Sequence, residues 1–143
     1  MFTKNCFIQK CNETLINKLI KLGYKPIGNI NYNTYGIYCH NGKFKTCSTN
    51  EQPSIKNQNF IQCYENENLF LAITALQDNT DKNQWFIYDS RDCSVESRRQ
   101  FFWFICEEDN IEDMMYYDCM FLSCHKATVE ELIEHFNMRK NEE

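Results

Sequence analysis

The sequence predicts an α+β fold: one domain over residues 1–143, a mainly antiparallel sheet and three helices, in the order β-α-β-β-β-α-β-β-β-α. Three observations predict it. A strand, a polar cap and an amphipathic helix follow one another three times without a constant period, which argues against a solenoid. An Asn-Gly dipeptide joins two alternating apolar runs, the signature of a type I′ hairpin. Eleven Phe, eight Tyr and two Trp against four Gly and two Pro supply a core rather than a linker-rich chain. Residues 138–143 read as a frayed tail.

The first segment, "CFIQKCNETLINKLIKLGY", opens with a strand around Phe7 and Ile8. Asn12 is an N-cap, Gly23 a C-terminal stop, and Leu15, Ile16, Leu19, Ile20 and Leu22 make one apolar face. "YGIYCHNGKFKTC" is the hairpin, turning at Asn41-Gly42, and 48–59 is a polar connector. "NFIQCYENENLFLAITALQ" gives a strand over Phe60–Cys63, then a helix from about Asn66 to Gln77. That helix is apolar around nearly its whole circumference, so it should be the central one, buried on more than one side.

The polar string Asp78–Asn83 then interrupts the apolar run before "QWFIY" resumes it. Read locally, the string carries the chain across the surface, and Asp81→Ala or Lys82→Ala should change stability by no more than about 0.5 kcal/mol. The strand should return under the central helix with Trp85 or Phe86 packed against it, since the two project to opposite faces. "RQFFWFIC" (99–106) is bulky and unbroken, as a central strand would be. The acidic 107–118 reads as a loop or short helix. In "MFLSCHKATVEELIEHF", Thr128 and Glu131 make a capping box ahead of Val129, Leu132, Ile133 and Phe136.

Net charge is −5, but residues 1–61 carry +6 and residues 62–143 carry −11. Such asymmetry points to an anionic partner for one face or to head-to-tail self-association. The plainer alternative is that both halves interleave in one sheet and neutralise each other. No apolar run approaches the roughly 20 residues that span a bilayer, and "MFTKNCFIQK" lacks a continuous apolar signal region. The expectation is a cytoplasmic protein without membrane association, its nine cysteines reduced thiols.

No C-x-x-C, Gly-rich phosphate loop, H-E-x-x-H or G-x-S-x-G occurs, so no catalytic residue, metal ligand or cofactor is assigned. Cys124 is the strongest nucleophile candidate, placed just before a helix N-terminus that would stabilise a thiolate. His125 points to the opposite face, which leaves His40 or His135 as partners, and His135, read as a surface residue in the last turn of its helix, is a weak one. The one binding signal is basic-aromatic interleaving: Lys25, Tyr35, Tyr38, Lys43 and Lys45 around the hairpin, with Arg98 and Arg99 as a second group. Lysine for charge and tyrosine for stacking suit a nucleotide or single-stranded nucleic acid, whereas the acidic pI argues against duplex DNA.

At "ENLFLAITALQDNTDKNQWF" and "KATVEELIEHF" the sequence resembles small accessory proteins encoded by phages and prophages of gut Bacteroidales, which also carry "LGY" after a first helix. The resemblance covers most of residues 5–137, with 89–118 the least familiar part. It implies a phage accessory protein acting in the host cytoplasm and carries over no catalytic residue. The expected function is non-enzymatic binding of a host protein or a small anionic ligand, with homo-oligomerisation through the charge asymmetry. The alternatives are a cysteine-dependent enzyme and a virion or assembly component.

Overall fold

In the computed structural model the chain is described over residues 2–49, 60–88, 103–113 and 124–141, with Tyr88 and 137–141 as backbone alone. It divides into two compact units, Met1–Leu76 and Gln77–Glu143, each with its own sheet. The architecture is α+β.

Unit one contains β1 (Cys6–Ile8), α1 (Glu13–Leu22), β2 (Lys25–Pro26), β3 (Gly36–His40), β4 (Lys43–Cys47), β5 (Ile61–Gln62) and α2 (Glu67–Thr74). Asn12 caps α1 by accepting Leu15 N–H at 2.8 Å, and Gly23 ends it at φ +113°. Asn66 caps α2 in the same way through Leu69 N–H at 3.0 Å. The hairpin turns at Asn41 (φ 52°) and Gly42 (φ 77°), the paired positive angles of a type I′ turn. Gly36 is required for a different reason. A Cβ there would stand 2.4 Å from the Ile8 carbonyl oxygen and 2.9 Å from the Phe7 ring.

The strand order is β2-β4-β3-β1-β5. The β1–β3 and β3–β4 pairs are antiparallel, while β1–β5 and β2–β4 are parallel. The sheet is therefore mixed, and β2 is a strand that periodicity does not reveal in so short a stretch. Its Pro26 lacks an N–H and is tolerated because β2 is at the sheet edge; Lys25 and Ile27 donate to Gly42 and Phe44 instead. Helix α2 packs on β1 and on α1. Leu69, Phe70, Ala72 and Ile73 are all at most 4% exposed, as an apolar circumference requires.

Unit two contains β6 (Trp85–Tyr88), β7 (Trp103–Ile105), β8 (Cys124–Lys126) and α3 (Val129–Asn141), with the antiparallel order β7-β6-β8. Two sheets thus replace the single one expected. The halves do not interleave in one sheet, so the charge asymmetry follows the units. Unit one carries eight lysines against four glutamates, net +4; unit two carries seven basic against sixteen acidic residues, net −9. The described part of 99–106, β7, lies at an edge with Ile105 exposed, and the central strand is β6, which pairs on both sides. Helix α3 continues through Asn141, into the stretch read as a tail.

Strand β6 separates two packed faces. The Trp85 ring meets Phe136 of α3 edge-on at 5.7 Å and Trp103 at 6.3 Å. Phe86, 3% exposed, stacks on Phe104 at 5.9 Å on the other face. Within unit two, the helix that Trp85 meets is α3, whereas sequence order points to the preceding one. The polar string before β6 is not a bare surface crossing. The Thr80 hydroxyl donates to the Asp109 carbonyl at 3.2 Å, Asp81 N–H donates to the same oxygen at 2.9 Å, and the fully buried Gln84 amide donates back to the Thr80 carbonyl. Lys126 closes the loop from β8, its ammonium donating to the Gln77 and Thr80 carbonyls at 3.0 and 3.3 Å.

Candidate functional site

Alternation along β3 and β4 sorts the hairpin side chains onto two faces. Ile37 and Cys39 oppose Thr46 and Phe44 on the buried face. That face also holds Cys6 and lies on the helical side, where the Tyr24 hydroxyl donates to the Thr74 carbonyl of α2 at 2.9 Å. The other face carries Tyr38 opposite Lys45 and His40 opposite Lys43, and the parallel register of β2 sets Lys25 beside Lys43. Lys25, His40 and Lys43 are exposed; Tyr38 and Lys45 are half-buried.

Neighbouring strands lie about 4.8 Å apart and alternate residues of one strand about 6.6 Å apart, so these five groups fall within a small rectangle. Among the described residues, none of the three lysines has a carboxylate ion-pair partner. Phe60, 3% exposed, braces the ring column: Tyr38 meets it edge-on at 5.7 Å and His40 at 6.0 Å. Asn41 Nδ2 lies 3.1 Å from His40 Nε2 at the turn.

The structure therefore brings together Tyr38, Lys43 and Lys45 and adds Lys25 through β2. Tyr35, just before β3, tilts its ring over the buried Phe7 at 6.3 Å, where it packs rather than presents. Arg98 and Arg99 lie outside the described residues. His40 and Phe60 belong to the face and are absent from the sequence assignment. Alternation from Tyr38 points to His40; nothing local points to Phe60, which arrives from beyond the connector.

The thiols are arranged for packing. Cys6 and Cys39 face each other across β1–β3, both wholly buried, with Cys63 close by. Burial pushes the Cys6 and Cys63 thiols and the Tyr24 phenol well above their usual ranges, and the neighbouring thiols add to the effect. Cys124 begins strand β8, opposite Tyr88, and Thr128 and Glu131 supply the cap of α3; the thiol is thus on the sheet and not at the helix terminus. His135 is 8% exposed and stacks on Trp103 at 4.0 Å, well inside a helix that runs on to Asn141. His135 is thus a buried residue six positions before the helix end, where the sequence pattern predicts a surface residue in the last turn.

His125, on the opposite side of β8 from Cys124, approaches both Glu131 oxygens at 2.9 and 3.0 Å. Burial raises the Glu131 carboxyl, but Thr128 N–H and His125 outweigh it and hold it below the usual carboxylate range. Among the described residues, no group of three His, Cys, Asp or Glu is placed to hold a metal ion, and no helix is long and apolar enough to cross a membrane. No family model, curated protein or solved structure matches the chain.

Proposed function

We propose that the chain is a non-enzymatic binding protein whose first unit offers the Lys25–Lys43–Lys45 face to a small anionic ligand or to an anionic surface of a host protein. One observation carries this reading: three lysines and two rings share one face in register, and no described carboxylate neutralises the lysines. The charge division supports it, because the +4 belongs to a unit with its own sheet. The phage-accessory reading fits the same role, a small protein acting through its surface on a host component. The thiol-enzyme reading has less in its favour, since Cys124 lacks the helix terminus that would activate it.

The test is retention on phosphocellulose at pH 7.5 and low salt. A protein of pI ≈ 5.2 should pass through such a resin unless a local cationic face holds it. Retention is expected, and the combined K25E, K43E and K45E variant should elute in the void. Wild-type protein in the void at low salt would sink the proposal. Sedimentation across the same salt range separates head-to-tail self-association and assembly into a larger particle from simple ligand binding.

A further inference from the structure

We infer that the anion recognised by this face is a single-stranded nucleic acid, its phosphates along β4 and its bases along β3; this rests on the anion-binding reading above. The face is a repeat of two like units. Lys43 stands opposite His40, and Lys45 stands opposite Tyr38, each a cation beside a ring. The two units are two residues apart on the same strands, about 6.6 Å. A single-stranded nucleic acid also repeats one charge and one flat ring per step, and both columns here run the same way. Lys25 adds a third cation beside Lys43 on the outer strand, flanking the line of phosphates.

The rings are held in place before any ligand arrives. Phe60 contacts both Tyr38 and His40 from a buried position, so little ordering is needed for stacking. An extended strand reads such a platform by stacking and backbone charge alone, without base-edge contacts. An acidic peptide would satisfy the lysines but would leave the paired rings unused.

The experiment is fluorescence anisotropy with labelled oligo(U) and oligo(dT) of about ten nucleotides, a length within the range of single-strand platforms. Three phosphate contacts predict that log K falls against log salt with a slope of about −2, and Lys43→Gln or Lys45→Gln should each flatten it by about 0.7. Tyr38→Leu and His40→Leu should each weaken binding about five- to hundred-fold, with the salt slope unchanged. Inorganic polyphosphate and poly-glutamate should compete at least ten-fold less well than unlabelled oligonucleotide. If either competes equally and the ring variants bind as wild type does, the nucleic-acid assignment is overturned while the anion-binding reading stands. If no polyanion binds, both are overturned. Thermal melts accompany each variant, and should Tyr38→Leu fail to fold, His40→Leu and the lysine variants decide the matter.

Discussion

The Asp81 carboxylate joins two elements of unit two. One oxygen lies 3.2 Å from Lys126 Nζ on β8, and the other accepts Ile111 N–H at 2.8 Å from the acidic stretch. Both side chains of the ion pair are half-buried. The polar string that interrupts the apolar sequence is thus a tie between the end of β8 and the acidic stretch.

Neighbouring residues of that string should behave differently. Asp81→Ala leaves the Lys126 ammonium with its two carbonyl acceptors but without a counter-ion, removes the acceptor of Ile111 N–H, and should lower stability by about 1–3 kcal/mol. Lys82, whose side chain is exposed, should change it by less than about 0.5 kcal/mol on truncation. Urea unfolding followed by circular dichroism separates them. Equal, small effects would mean that the tie does not form in solution.

Trp85 and Phe86 of β6 should both prove structural. Phe86→Ala removes a ring that is 3% exposed and should cost about 3–5 kcal/mol. Trp85→Ala removes the contacts with Phe136, His135 and Trp103 and should also destabilise strongly, in spite of partial exposure. A Trp85→Ala protein of native stability that fails to bind its partner would instead make Trp85 a recognition residue.

Glu131 offers a pH test. A carboxyl held low in the folded state adds stability above its unfolded pKa of about 4.3, and that stability is lost as pH falls through the lower folded value. Glu131→Gln can still accept Thr128 N–H, so it keeps the cap and removes only the titration. Wild type should exceed the variant by no more than about 1 kcal/mol near pH 6, because the His125 pair is well exposed. The gap should shrink below pH ~4.3. A gap that stays constant with pH would mean that the carboxylate charge contributes nothing to stability.

Thiol chemistry should divide by burial. Native alkylation followed by peptide mapping should modify Cys11 and Cys124 first, then Cys6, Cys39, Cys47, Cys63 and Cys106 only on unfolding. Because burial raises the Cys6 and Cys63 thiols in the folded state, their contribution is intact below the unfolded value of about 8.5 and is lost as pH rises beyond it. Stability should therefore decline on the alkaline side. One cysteine labelling rapidly with a midpoint well below that value would revive the enzyme reading. Oxidation should not lock the core either. Asn5 and Phe7 turn their carbonyls to β5, which turns Cys6 toward β3 and makes Cys6–Cys39 a hydrogen-bonded pair. Such pairs hold their Cβ atoms farther apart than a relaxed disulfide needs.

Local chemistry was legible. The Asn12 cap, the Gly23 stop, the Asn41-Gly42 turn and the Thr128–Glu131 box depend on neighbours three or four residues away and appear where the sequence puts them. Partition into sheets was not legible, because β5 and β7 show their apolar character but not their partner. The same limit applies to the candidate face. Tyr38, Lys43 and Lys45 follow from alternation within one hairpin, while Phe60 depends on a pairing between distant strands. Asp81 was misread since its partners, Lys126 and Ile111, lie far along the chain.

The order β2-β4-β3-β1-β5 places the strand synthesised first among the interior strands of its sheet. On a ribosome, β1 emerges ahead of its partners and waits, first for β3 and then, for the seconds that the intervening chain takes, for β5 and α2. The β3–β4 hairpin can close by itself meanwhile, and closing the long β1–β5 loop is the slow event. A nascent chain of this protein therefore holds an apolar tripeptide, Cys-Phe-Ile, uncovered for most of the synthesis of unit one, which makes that tripeptide a natural landing point for a chaperone.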